Sequence, residues 1–220
     1  MARRPYVLLL PALLLVPLFG RVMGGWATVT VEELPDYIEA GKPLPLTFMV
    51  RQHGVTPLKG IHPMIEARSG EYAARAPAEP GTETGQYVAA LTLRQPGEWT
   101  ITINSGFGNS KLTLPPVRAI AAGTPAPVAL AADERGRRLF ISKGCVGCHT
   151  RTDVDVGDGA TIGPVLTGKR YESEWLRKFL ADPAANATKT GTFRMPNLRL
   201  KQTEIGFLVA FVNAERGRSP

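Results

Sequence analysis

The chain has 220 residues, 44% of them hydrophobic, and a formal net charge of +7. That apolar content excludes a disordered chain, and the length allows one large domain or two small ones. The basic excess forms no long Lys/Arg run and no recognition-helix pattern, which argues against nucleic acid as a partner.

The charge is uneven. Residues 1–26 hold three arginines and no acids; residues 27–120 hold eight basic and nine acidic residues; residues 133–220 hold fifteen basic and ten acidic residues. The stretch "MARRPYVLLLPALLLVPLFG" places Arg3 and Arg4 before an apolar run from Tyr6 to Phe19. This is the charged and hydrophobic order of an export signal. The run is shorter than the ~20 residues a spanning helix needs, and it contains Pro11 and Pro17. A signal peptide over 1–24, cut near residue 24, therefore fits better than a retained N-terminal anchor. Either way the remainder is expected outside the cytoplasmic membrane, in the periplasm or cell envelope. Membrane association, if any, would run through the N-terminal segment.

Residues 27–118 read as β. The stretches "ATVTVEEL", "LPLTFMVRQ", "HPMIEAR", Glu71–Ala74, "GQYVAALTL", "GEWTITINS" and "SKLTLPP" give about seven short strands rich in β-branched and aromatic residues. In "EWTITIN", Trp99, Ile101 and Ile103 take one face, and Thr100 and Thr102 the other. "RQPGEW" is a Pro-Gly turn that predicts a hairpin between the fifth and sixth of these strands. Strand spacing and turns predict an immunoglobulin-like sandwich. Residues 119–131 are Pro/Ala-rich and read as a semi-stiff linker that would let the two parts swing.

Residues 132–216 read as mostly helical. "DERGRRLFISKG" has Asp133 as its expected cap and ends at Gly144. "SEWLRKFLADP" starts at Ser173, and "TEIGFLVAFVNA" starts at Thr203. Three short helices with long loops make a poor core for ~85 residues, and small domains of this kind often need a staple or cofactor.

"KGCVGCHT" holds the only two cysteines, Cys145 and Cys148, followed directly by His149. Four uses compete. A disulfide across two intervening residues would close a small ring and stabilise little. A thioredoxin-type pair wants a strand before it and a helix starting at the first Cys; here a helix precedes and a Gly/Asp-rich loop follows. A zinc site wants four ligands, and the other two histidines, His53 and His62, lie in the β part. C-x-x-C-H is the attachment signature of covalent haem. On that reading Cys145 and Cys148 each bond a vinyl group, and His149 ligates the iron. For the sixth position His and Met are the common choices. The helical part has no second His and a single Met, Met195, in "TGTFRMPNL". A Met filling a core gap is the plainer alternative, but its polar, Pro-containing surroundings favour ligation. The metal ligands are thus expected to be His149 and Met195.

Residues 132–214 resemble the small bacterial class I c-type cytochromes. The motifs "G-x-x-L-F-x-x-K-G-C-x-x-C-H", "IGPVLTGK", "EWLRKFLADP" and "RMPNL" carry the resemblance. It implies an all-α class I cytochrome c fold behind the all-β part and one covalently attached haem c. It further implies that the Pro164 carbonyl accepts from the His149 ring while Gly163 lets the backbone come close. By the same resemblance Gly136 and Phe140 would pack on Leu208 and Phe211, and Arg170 and Trp175 would bond the haem propionates. Residues 30–115 resemble the YtkA-like or FixH-like sandwiches of bacterial envelopes, through "FMVRQHGVTPLKGIHPMIEA" and "GQYVAALTLRQPGEWTITI".

With both axial positions filled, no substrate position remains. The expectation is an exported monohaem electron carrier of a respiratory chain, not an enzyme. Its basic helical part would dock redox partners with acidic faces, a membrane respiratory complex among the candidates, and the sandwich would dock it to such a complex. The alternative is an envelope haem sensor or a copper-handling protein, the latter using His53, His62 and Met64 as imidazole and thioether ligands.

Overall fold

A computed structural model describes residues 25–154, 162–186 and 195–214. The expected leader, residues 1–24, and the last two residues of the expected helical part lie outside the described residues. In chain order the strands are β1 (Ala27–Val31), β2 (Tyr37–Glu39), β3 (Pro43–Gln52), β4 (Thr56–Pro57), β5 (Met64–Ser69), β6 (Tyr72–Pro77), β7 (Glu79–Pro80), β8 (Gln86–Thr92), β9 (Gly97–Asn104), β10 (Lys111–Thr113) and β11 (Val117–Ile120). The helices are α1 (Ala132–Ser142), α2 (Ser173–Ala181), α3 (Pro183–Asn186) and α4 (Gln202–Asn213), with a 3₁₀ turn at Cys145–Gly147.

The strands form two sheets. One runs β1-β3-β8-β7 with β4 on β3, and the other runs β2-β11-β9-β5-β6 with β10 on β9. Alternation does the work expected of it. Leu46, Phe48 and Val50 of β3, Tyr87, Ala89 and Leu91 of β8, and Trp99, Ile101 and Ile103 of β9 all point into one buried core.

The expected hairpin does not form. β8 pairs with β3 in the register Thr47–Val88, while β9 pairs with β5 in the register Ile65–Ile103. The two strands lie in different sheets, and "RQPG" arches between them. The indole of Trp99 donates to the Gln95 carbonyl at 2.9 Å and closes that arch. Each strand buries a full apolar face, which suits two sheets meeting across a core. β11 also extends to Ile120, two residues into the expected linker, because Ala119 and Ile120 are apolar enough to be buried.

In the helical part, α1 crosses α4 at the small residue Gly136. A Cβ there would lie 2.0 Å from the Phe207 carbonyl oxygen and 2.5 Å from Phe211 Cβ. The close approach lets Phe140 and Phe211 meet with ring centroids 5.5 Å apart, while Leu208 is buried beside them. All three expected helix starts shift slightly. The cap of α1 is Ala131, with Asp133 placed in the first turn. Glu172, not Ser173, caps α2, its carboxylate accepting from the amides of Glu174 and Trp175. At α4 the Glu204 carboxylate accepts from the Lys201 amide at 2.8 Å. A carboxylate reaches free first-turn amides as well as a hydroxyl does and adds charge where the helix dipole favours it.

The two parts share an interface laced with polar contacts. Arg138 donates to the Pro116 carbonyl at 2.7 Å and the Pro35 carbonyl at 3.2 Å, and Arg135 pairs with Asp36 at 3.3 Å.

Candidate functional site

The site grows from the C-terminus of α1. Gly144 ends the helix with φ +77°, a conformation that favours glycine. A Cβ there would also strike the Val29 carbonyl oxygen of β1 at 2.4 Å, so the position is glycine twice over. The chain then tightens into the Cys145–Gly147 turn, where the amides of Cys148 and His149 both donate to the Cys145 carbonyl, at 3.1 and 2.9 Å. This compact turn sets the two thiols and the imidazole on consecutive short steps of backbone.

A second segment is laid against it. Ile162 and Gly163 both donate to the Cys148 carbonyl, at 3.2 and 2.8 Å, and Leu166 donates to Thr150 at 2.9 Å. Residues 162–166 therefore run along the imidazole. Nδ1 of His149 lies 3.0 Å from the Pro164 carbonyl oxygen. A carbonyl only accepts, so Nδ1 carries the proton and Nε2 keeps its lone pair. Gly163 has to be small. A Cβ there would stand 2.5 Å from Cε1 and 2.7 Å from Nδ1 of the ring.

Burial holds His149 below its ordinary pKa, and the Pro164 contact opposes that. At neutral pH the ring is uncharged, the form that binds a metal. Burial pushes the Cys145 thiol up to about 12, with repulsion from Cys148 adding to it, and burial raises Cys148 as well. Thiol–disulfide exchange needs the opposite, a thiolate favoured near neutral pH. Both cysteines are free. The raised values therefore argue against a disulfide-exchange pair.

The donor set fits a haem. Two thiols stand beside a neutral imidazole whose Nε2 is uncommitted, and Val165, next to Pro164, leaves 46% of its surface uncovered. Among the described residues no three His, Cys, Asp or Glu side chains converge on a bare metal site.

The remaining expected residues are placed as follows. Met195 is half-buried, packs against the core and lies with residues 196–201 outside helix and strand. Arg170 is exposed in the loop before α2. Trp175 is 45% exposed and stacks between Tyr171 and Phe179, at centroid distances of 5.6 and 5.2 Å. His53, in the β3–β4 turn with φ +52°, has its ring 5.6 Å from that of Trp26, and the backbone of His62 lies under Gly106.

Three groups escaped the sequence reading. Lys143 is 6% exposed; its Nζ donates to the Glu32 carbonyl at 2.6 Å and lies 2.8 Å from Glu204 Oε1. Arg151 is 4% exposed and donates to the carbonyls of Phe211, Val212 and Ala214 while covering the Phe211 ring. It thereby satisfies the C-terminal carbonyls of α4 with a positive charge where the helix dipole favours one. Tyr171 and Phe179, at i and i+8 around Trp175, could have been read as a helical aromatic stripe.

Residues 134–214 match the family model described as Cytochrome c. The match supports a c-type cytochrome domain over that stretch. It supports a haem-based electron-transfer role for the chain. No curated protein matches the chain. Solved structures resemble it only distantly. Domains 4 and 5 of the S-layer protein SbsC share 18% identity over 43% of this chain, with a TM-score of 0.33, and the chain spans 51% of that structure. The ZirS C-terminal domain shares 12% over 55% of this chain and 86% of its own, at TM-score 0.30. The PKD domain of the human VPS10 domain-containing receptor SorCS2 shares 17% over 45% of this chain and 76% of its own, at TM-score 0.26.

Proposed function

We propose that the protein is an exported monohaem electron carrier of a respiratory chain, with Cys145 and Cys148 as the thioether anchors and His149 and Met195 as the axial ligands. The observation that carries this reading is the His149–Pro164 contact of 3.0 Å beside two free cysteines, in a stretch that matches the cytochrome c family. The Pro164 carbonyl orients the imidazole and raises its basicity, which strengthens the Nε2 bond to a metal. A haem bound here supplies one-electron chemistry at the iron, and a Met ligand raises its potential.

Each residue has a defined task. Cys145 and Cys148 would hold a haem as thioethers, each S–H adding across a vinyl double bond so that its proton ends on the vinyl carbon. Gly163 keeps the ring face clear. Met195 would fill the position a substrate would need, which supports a carrier over an enzyme. Arg170 and the Trp175 indole are the groups proposed for the propionates. The front region, in this reading a YtkA- or FixH-like sandwich of immunoglobulin type, faces the envelope side and joins the carrier to its complex. Among the described residues no helix is long and apolar enough to cross a membrane.

The test is an optical spectrum of the mature protein, ferric and ferrous, with CO added to the ferrous form. One low-spin c-type haem with a far-red sulfur-to-iron band and no CO shift supports the reading. Ready CO binding would replace it with sensing or catalysis.

A further inference from the structure

The basic surface of the cytochrome domain should attract an acidic partner, and much of it already has one. Lys201 pairs with Glu33, Arg199 with Glu83 at 3.0 Å, and Arg135 with Asp36 at 3.3 Å, every acid coming from the β region. We propose that acids on one face of the β region are resident partners of the cytochrome domain's basic side chains, and that this face braces the Met195 segment against the Cys145–Cys148 turn. The inference rests on Met195 being the distal ligand.

Three observations converge. First, β1 touches the proximal turn. A Cβ on Gly147 would lie 3.2 Å from Thr28 Cγ2, and one on Gly144 would collide with the Val29 carbonyl. Second, the same region touches the distal segment. Gly54, in the β3–β4 turn, faces the Pro196 ring, with 3.9 Å from a Cβ built there to Cγ. Pro196 directly follows Met195. Third, Lys143 joins the two sides. It precedes Gly144 and the cysteine turn, and its ammonium binds both the Glu32 carbonyl at the end of β1 and the Glu204 carboxylate. The other oxygen of Glu204 accepts from the Lys201 amide, where the Met195 segment ends.

The segment needs such a brace. Residues 195–201 are in neither helix nor strand. Arg199 sits at φ +53°, a left-handed conformation unfavourable to a long side chain. Its guanidinium reaches both oxygens of Glu83, at 3.2 and 3.0 Å. A segment with few ladder hydrogen bonds opens locally at low cost. Whatever holds it down therefore sets how often a ligand on it leaves. The two outer ion pairs are exposed, so their grip is weak singly and falls with salt.

The experiment uses the full-length, haem-loaded protein and imidazole as the probe of ferric iron. The variant Glu33→Lys with Glu83→Lys should bind imidazole roughly three- to tenfold faster than wild type, as two weak pairs become repulsions. Its far-red sulfur band should weaken. Adding Lys201→Glu and Arg199→Glu restores opposite charges and should return the rate towards wild type. A loss of packing alone would not be rescued by that swap. Added salt should speed binding to wild type and change the charge-reversed protein little or slow it. A wild-type rate in the charge-reversed protein would overturn the brace. Met195→Ala separates the two claims. If it leaves the far-red band and imidazole rate unchanged, Met195 is no ligand and both readings fall. If it opens the haem while the charge reversals do nothing, the brace alone falls.

Discussion

Replacing Gly163 by alanine places one methyl group on the ring that the site depends on. The new carbon would stand 2.5 Å from Cε1, 2.7 Å from Nδ1 and 3.0 Å from Nε2 of His149. Relaxed carbon contacts lie near 3.5–4.0 Å, so about 1 Å must be found. The backbone yields little, because Ile162 and Gly163 are both tied to the Cys148 carbonyl. The ring is the part that moves. A shift of that size carries Nδ1 from 3.0 Å to about 4 Å from the Pro164 oxygen, beyond hydrogen-bond range. The lost bond costs about 1 kcal/mol, and forcing a methyl into a packed site costs about 1–3 kcal/mol. Together Gly163→Ala should destabilise the loaded protein by about 2–4 kcal/mol. Loss of the contact that orients a ligating histidine typically weakens metal binding about 10–100-fold, so a high-spin fraction should appear. Guanidinium unfolding followed at the haem absorption band measures the first effect, and the ferric spectrum measures the second. Pro164→Ala is the control, since it keeps the accepting carbonyl and should leave the spectrum low-spin. Wild-type stability with an unchanged low-spin spectrum in Gly163→Ala would refute the reasoning, because the ring would not then be held where the structure puts it.

Four further outcomes are expected. Gly136→Ala should lower stability by about 1–3 kcal/mol despite the better helix former, because the clash is with the Phe207 carbonyl, which no rotamer change relieves. Gly206→Ala, in α4 with only the end of Arg177 nearby at 3.6 Å, should instead stabilise by about 0.5–1 kcal/mol; thermal unfolding of both variants reads the difference. Arg151→Met should cost about 2–4 kcal/mol, since it strips three carbonyls at the end of α4 of their donor and leaves Asp153 without its cation, which hydrogen exchange of α4 would show. The amides of Glu174 and Trp175 hold the Glu172 carboxyl below its ordinary value. Its cap is therefore fully present above the ordinary carboxylate pKa and is lost as pH falls through the lowered one; amide shifts of Glu174 and Trp175 should titrate in that acid range and go flat in Glu172→Gln.

How much of this could be read from the sequence depended on the range of each interaction. Cys145, Cys148 and His149 were legible because their meaning is local: the chemistry lies in residue types at fixed spacing. Gly136 and Gly163 were nearly as legible, since a glycine in a helix or beside a proline demands a reason and close approach is the usual one. The β8–β9 hairpin shows the limit. Alternation in "QYVAALTL" and "EWTITIN" states which face of each strand is buried, and it states nothing about which strand lies beside it. Two strands with buried faces and a short Pro-Gly connection satisfy a hairpin and a sheet-to-sheet arch equally well. The choice is made by long-range pairing of β9 with β5 and by the Trp99–Gln95 contact. Strands of two to four residues, such as β4 and β7, are below the length at which alternation can be seen at all.

The linker has the same limit. "AAGTPAPVALAA" describes the stiffness of the connection, and stiffness says nothing about whether the connected parts adhere. That is decided by Lys143, Glu33, Glu83 and Asp36, residues 61 to 168 positions from their partners, each of which reads in sequence as an ordinary solvated charge. Of these four only Lys143 is buried, and a buried ammonium must be fully paired to be tolerated. Its two oxygen partners come from the two different parts of the molecule. An ammonium placed one residue before Gly144 and satisfied only when β1 and α4 are both present ties formation of the haem turn to docking of the β region. The split into a carrier and an attached docking module, natural from the sequence, therefore understates the coupling: the turn that holds the thiols is built partly from the other region's backbone.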